Sequence, residues 1–272
     1  MKNSYQKSAL SIFVATSSAV ILSCGTPKLA LKGTDWEHGN EMHAVTGRQG
    51  ILINQRLSFG QYATQKVNRS WTKESSWSIG VGKHTLEVPT ATNVIAFDHI
   101  TRKQTLRFAA ESLSGEYADV YAASHVKARE LRIGEENAPG GFVIDLTRLF
   151  SKSSNNLYYV QIYLNGNMQP WQLILDNEVS QWQPGKYVGY LYGPNNRYYE
   201  LKPVRHLENK NGEAKQIAMG HIGFEVLDEG GTGLAAVSIM DKGQVYFSNA
   251  VSPKERFLLE NLCAAILLQE QI

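Results

Sequence analysis

The sequence predicts a mainly β fold, an antiparallel sandwich or barrel closed by a buried C-terminal α-helix. Three observations carry this. Short apolar or alternating runs recur from Gln49 onward, separated by turn residues, at the spacing of all-β domains. Asn165-Gly166 sits between two such runs, and this dipeptide suits a turn with positive φ at both central residues. The chain then closes on "SPKERFLLENLCAAILLQ", whose apolar residues cover every side of a helix and therefore need burial on every side.

Each element follows from its local pattern. "GILINQRLSF", "TNVIAFDHI", "TLRFAAE" and "GGFVIDLTRLF" have strand character. "EYADVYAASHVKARELRI", residues 116–133, fits either helical spacing or one long strand, and the sequence leaves both open. "LYYVQIYL" alternates Tyr158, Val160, Ile162 and Leu164 against Tyr159, Gln161 and Tyr163, and "MQPWQLILD" returns with Trp171, Leu173 and Leu175 on one face. "KYVGYLY" turns at Pro194-Asn195-Asn196 into "RYYELKPV", and "HIGFEVL", "LAAVSIM" and "QVYFS" follow as further strands. The helix, expected over 253–270, opens with Ser252 at the N-cap, Pro253 at the first helical position and Glu255 completing a capping box.

The N-terminus has a different logic. Lys2 and Lys7 precede an apolar segment, Ala9 to Leu22, that is too short and too rich in Ser and Thr to span about 30 Å of hydrocarbon. A basic start, an apolar stretch and small residues in that order suit a secretory signal. Ile21-Leu22-Ser23-Cys24 resembles the lipobox of bacterial lipoproteins. The resemblance implies cleavage after Ser23, acylation of Cys24, and, with Gly25 rather than Asp next, anchoring in the outer membrane. It divides the chain into a signal peptide (1–23), a tether (24–44) and a β-rich globular region (45–272).

Charge and cysteine usage limit the chemistry. Without Lys2 and Lys7 the formal charge falls from +2 to zero, leaving no electrostatic footprint for nucleic acid. Of two cysteines, a lipidated Cys24 leaves Cys263 alone, so no intrachain disulfide forms. "GTGLAA", Gly231 to Ala236, matches a dinucleotide-binding pattern, but no crossover helix fits after it and a hairpin turn is the expectation. "HGNEMH" spaces its histidines five apart across Gly39-Asn40, which does not give zincin geometry and suits a solvated tether. No cofactor is expected. Cys263 sits in the most apolar segment, where burial raises a thiol pKa instead of activating it.

The C-terminal architecture, in "FEVLDEGGTGLAAVSIMDKGQVYFS" and "SPKERFLLENLCAAILLQ", resembles the tubby-like barrel family, in which a C-terminal helix plugs a strand-rich barrel. That resemblance implies a lipid-binding barrel. Aromatic residues between 158 and 199 suggest a ligand face, with Tyr159, Tyr163, Trp182, Tyr190 and Tyr192 as its candidates. Tyr and Trp also serve as ordinary strand formers on a half-exposed sheet. The reading is a membrane-anchored, non-catalytic module for a glycan or an envelope protein. The alternative is a hydrolase in which the fold pairs carboxylates such as Asp98, Asp145, Asp176 and Glu225.

Overall fold

The computed structural model describes residues 27–37, 39–49, 55–79, 95–133, 156–209 and 211–269. The Cys24 lipobox, "GGFVIDLTRLF" and Asp145 lie outside these residues.

Among the described residues sixteen strands and three α-helices follow in chain order. They are β1 (Lys28–Leu29), α1 (Thr34–Glu37), β2 (Asn40–Ala44), β3 (Ser58–Phe59), β4 (Tyr62–Ala63), β5 (Asn68–Ile79), β6 (Ile95–Glu111) and β7 (Tyr117–Ile133). The second half holds β8 (Leu157–Leu164), β9 (Trp171–Asp176), α2 (Asn177–Trp182), β10 (Gly189–Tyr192), β11 (Tyr198–Val204), β12 (His206–Glu208) and β13 (Ala214–Gln216). β14 (Gly223–Leu227), β15 (Gly233–Ser238), β16 (Gln244–Ser248) and α3 (Pro253–Leu268) complete it.

Eleven strands form one antiparallel sheet in the order β2-β16-β15-β14-β11-β10-β9-β8-β7-β6-β5. It is not closed into a barrel. Instead it curls around α3, which touches β15 near one end of that order and β7 and β8 toward the other. The β3–β4 hairpin stands across the opening, bridged to Thr46 after β2 through Ser58 and to Ala110 of β6 through Thr64.

The expected all-round apolar helix is buried from Phe257 to Leu259 and from Asn261 to Leu268. Polar anchors along its length fix its place. At its N-terminus Glu255 accepts hydrogen bonds from Tyr199, Arg197 and Ser252, at 2.8, 2.8 and 2.6 Å. Burial alone would raise this carboxyl's pKa, but the donors outweigh it and hold it below the usual carboxylate range. Negative charge there also complements the helix dipole. In mid-helix the buried Asn261 accepts from the Tyr62 hydroxyl at 2.9 Å and donates to the Phe257 carbonyl at 2.7 Å. At the C-terminus Arg69 donates to the Leu268 carbonyl at 2.6 Å. The capping box takes a modified form: Ser252 donates to Glu255 and makes no side-chain bond to a helix N–H.

Several expectations change. The stretch 116–133 is strand from Tyr117 on: β7 pairs with β6 along its length and with β8 from Ala118 to Val126. "TNVIAFDHI" and "TLRFAAE" join into the single strand β6. The described part of the tether, from Pro27 to Ala44, belongs to the fold: β1 pairs with β12, β2 pairs with β16, and Trp36 of α1 is buried. Trp36 packs with Leu29, Val204, Ile222, Ala236 and Tyr246 in a second, smaller core. This core covers the outer face of β15 and β16, which explains why both strands are buried on both sides. Mixed polarity in the sequence hid it, because its apolar residues come from distant segments.

Asn165 and Gly166 have φ of 52° and 71°, as a turn of this kind requires, and Asn167 N–H donates to the Leu164 carbonyl. Three more residues precede β9, so the hairpin loop is longer than two residues. "GTGLAA" enters β15 directly from the β14–β15 turn, which leaves no helix N-terminus for a pyrophosphate.

Candidate functional site

Strand alternation decides which tyrosines face α3 and which face outward. Tyr158 points inward, donating to the Ala265 carbonyl at 2.7 Å. Tyr159, Gln161 and Tyr163 therefore lie on the outer face of β8. Leu191 lies opposite the inward-facing Leu173, so Tyr190 and Tyr192 share that outer face.

The register then lines up a row across six strands. Arg107 pairs with Tyr121, Tyr121 with Gln161, Gln161 with Gln172, Gln172 with Tyr192, and Tyr192 with Tyr198. At about 4.8 Å per strand the row is about 24 Å long. A second row beside it runs Tyr159, Ile174, Tyr190 and Glu200. The result is one aromatic and amide-bearing face over β6 to β11.

Its side chains hold one another in place. Tyr190 and Tyr192 stack with centroids 5.5 Å apart, and Tyr198 meets them at 5.9 and 6.2 Å. Tyr121 meets Tyr163 edge-on at 5.9 Å, with the Arg107 guanidinium 4.9 Å from the Tyr121 centroid. The Gln172 amide donates to the Tyr159 hydroxyl at 2.5 Å. Tyr163 donates to the side-chain amide oxygen of Gln161 at 3.4 Å.

The five sequence candidates divide accordingly. Tyr163 and Tyr190 are half-buried on the outer face, as a ligand platform needs. Tyr159 and Tyr192 share that face but are only 3% and 4% exposed, so neither offers a free ring surface. Trp182 is 65% exposed but stands apart, at the end of α2, without a ring contact to the tyrosines. Tyr121, Tyr198, Arg107, Gln161 and Gln172 were not among the candidates. Their signal is register, which a sequence without strand pairing does not contain.

One group on this face is electrostatically unusual. The Tyr192 hydroxyl is buried and makes no hydrogen bond among the described residues. Burial, reinforced by the neighbouring Tyr190, pushes its pKa well above the ordinary tyrosine range. A buried unpaired hydroxyl costs stability unless something else completes it.

Two of the four carboxylates considered for hydrolysis, Asp176 and Glu225, have other employment. Asp176 accepts from the Val179 N–H at 2.9 Å and caps α2. Glu225 accepts from the Trp36 indole at 2.6 Å, and burial raises its pKa despite that bond. The HGNEMH histidine His43 lies on β2, 3.3 Å from Glu41. Among the described residues no group of three metal-ligating side chains converges. The same residues include no helix long and apolar enough to cross a membrane. Cys263 is wholly buried, and burial raises its thiol pKa, as its segment implied.

The fold and this face define a β-sheet domain wound on a terminal helix, with an aromatic outer surface. Comparison with family models, with curated proteins and with solved structures returns no match.

Proposed function

We propose that this protein is a lipid-anchored bacterial envelope lipoprotein whose sheet domain binds a glycan, without catalysis, on its outer face. The row from Arg107 to Tyr198 is the observation that carries this reading. Half-buried tyrosine rings offer apolar faces to the C–H side of sugar rings, and the Gln161 amide, the phenols and the Arg107 guanidinium offer hydrogen bonds. The row of about 24 Å is open at Arg107, Tyr121, Gln161 and Tyr198 and interrupted by the buried Gln172 and Tyr192, so sugar rings would meet it toward its two ends. The anchor rests on Ile21-Leu22-Ser23-Cys24, preceded by a basic and then an apolar stretch. Acyl chains on Cys24 would hold the domain at the membrane, because two or more buried chains give stable attachment.

Co-sedimentation of the full chain with insoluble cell-wall glycan, and affinity electrophoresis in soluble polysaccharides, test the binding. Retention should fall at least tenfold in Tyr163→Ala/Tyr121→Ala with little change in thermal unfolding. Failure of the parent chain to bind any glycan would overturn the binding reading. Fatty-acid labelling that persists in Cys24→Ala would overturn the anchor.

A further inference from the structure

A second surface lies at the end of α2. Trp182 and Met219, 65% and 66% exposed, line a shallow groove of about 420 Å³ together with Lys186 and Arg205. Gly220 lets the Met219 loop close on α2: φ there is 69°, and a Cβ would press into the Gln181 amide. The groove therefore brings two large apolar side chains to solvent beside two cations, and no acidic residue lines it.

The cations are free to pair. Neither the Lys186 ammonium nor the Arg205 guanidinium makes an ion pair or hydrogen bond among the described residues, and Arg205 Nε is buried without a partner. In a chain with a formal charge of only +2, an acid-free pair of cations is a local departure from balance. A Trp and a Met flanked by Lys and Arg is the composition of an interfacial contact, where apolar tips enter the acyl boundary and cations meet phosphates.

Chain connectivity supplies the partner. The Ala30 N–H donates to the carbonyl of His206, the residue after Arg205, and Lys28 pairs with Glu208. Cys24 is four residues before Lys28, a reach of at most about 14 Å. Glu208 is three residues beyond Arg205, roughly 10 Å along the strand. A tether this short is well below the width of a domain of this length, roughly 45 Å. An acylated Cys24 thus holds the groove side of the domain close to the bilayer.

We infer that the Trp182–Met219 groove, with Lys186 and Arg205, is the face by which the domain lies on the anionic headgroup layer of its own membrane. This rests on the lipoprotein reading for the proximity of the bilayer, and on the groove's own composition for the contact. Docking here turns the glycan-binding face of β6 to β11 into a surface of fixed orientation, in place of one that tumbles on its tether.

The test uses the full chain carrying Met219→Cys with an environment-sensitive fluorophore, alongside the parent chain labelled identically to subtract other thiols. Acylation of Cys24 is read separately by mass spectrometry. On vesicles of phosphatidylethanolamine and phosphatidylglycerol the probe should shift to the blue and be quenched by shallow bromolipids. Phosphatidylcholine vesicles should give a weaker response. Lys186→Gln/Arg205→Gln should lower the ratio of docked to undocked protein about thirtyfold, since each cation near an anionic surface contributes about 1 kcal/mol. An acylated chain whose probe stays in water overturns the groove and leaves the anchor standing. A probe that enters vesicles on a chain found unacylated overturns the anchor and sustains the groove. A probe that responds to soluble polysaccharide and not to vesicles overturns the inference in favour of a glycan site.

Discussion

Tyr158 of β8 and Ala265 of α3, 107 positions apart, are joined by a 2.7 Å hydrogen bond inside the core. The phenol donates to a carbonyl that also accepts from the Gln269 N–H at 3.1 Å, in the last turn of the helix. The bond ties the centre of the sheet to the helix around which the sheet is wound. Tyr158→Phe keeps the ring and deletes only the donor. The Ala265 carbonyl retains its helical partner, so the loss should stay near the net worth of one hydrogen bond, about 1 kcal/mol. Thermal unfolding should show a drop of about 2–4 °C. A change above about 3 kcal/mol would mean that the phenol does more than this bond.

Burial of Cys263 makes the seat of α3 measurable by chemistry. A maleimide probe should react with it slowly in native protein and quickly in denaturant, since the side chain is fully buried and its thiolate disfavoured. Deleting residues 257–272 should leave the inner lining of the sheet uncovered and the protein aggregated. A soluble truncation with cooperative unfolding would contradict the central place of α3.

His221 should make the fold sensitive to mild acid. Burial pushes its pKa down to about 4, and its ring lies 4.5 Å from that of Phe224. Unfolded histidine titrates near 6.5, so between those values the unfolded chain binds the extra proton. Stability is therefore fully present above pH 6.5 and is lost as pH falls toward 4, by up to about 3 kcal/mol. Glu41 and Glu255, held below the usual carboxylate range, act in the same direction, but only below about pH 4.5. Glu225 and Glu260, raised by burial, oppose them as they protonate. Urea midpoints at pH 7 and pH 5 should differ in the parent chain and converge in His221→Gln. An NMR titration placing His221 near 6.5 would refute the assignment.

Gly193 is glycine because Trp171 leaves no room for more. Its φ of −128° suits any residue, but a Cβ would fall within the indole ring. Trp171 in turn packs 5.4 Å from Tyr199, which holds the helix N-terminus through Glu255. Gly193→Ala should cost about 1–3 kcal/mol by overpacking. Calorimetry checks this, and an unchanged midpoint would show that Trp171 moves freely.

What the sequence revealed follows from physical range. Strands with clean alternation, such as 157–164, and the helix with no polar face were legible because their signals repeat within a few residues. Residues 116–133 were ambiguous because Ala and Tyr satisfy both periods; pairing on two sides decides for strand. The tether expectation failed at Trp36 and Leu29, whose partners lie near the opposite end of the chain. The same limit applies to the candidate face. Tyr190 and Tyr192 share it by alternation alone, but Tyr121, Gln161 and Gln172 join it only through cross-strand register, and exposure depends on neighbours that no local pattern records.

Tyr192 offers the sharpest test of that face, because its ring and its hydroxyl predict different things. The ring is 4% exposed and stacked on Tyr190, so Tyr192→Ala should cost about 3–5 kcal/mol and cannot report on binding by itself. Tyr190→Ala removes a half-buried ring and should weaken glycan retention with a smaller loss of stability. Tyr192→Phe is the decisive change. The hydroxyl is buried without a partner among the described residues, a condition that costs about 1–3 kcal/mol. Removing it should raise the unfolding midpoint in the absence of ligand. If Tyr190 and Tyr198, which pack on that ring, part to admit a sugar hydroxyl to the buried group, the same substitution should lower glycan affinity about threefold to tenfold, the worth of one net hydrogen bond. Higher stability with lower affinity supports a binding role for the face. Higher stability with unchanged affinity removes Tyr192 from the site and reduces its phenol to a flaw in the packing.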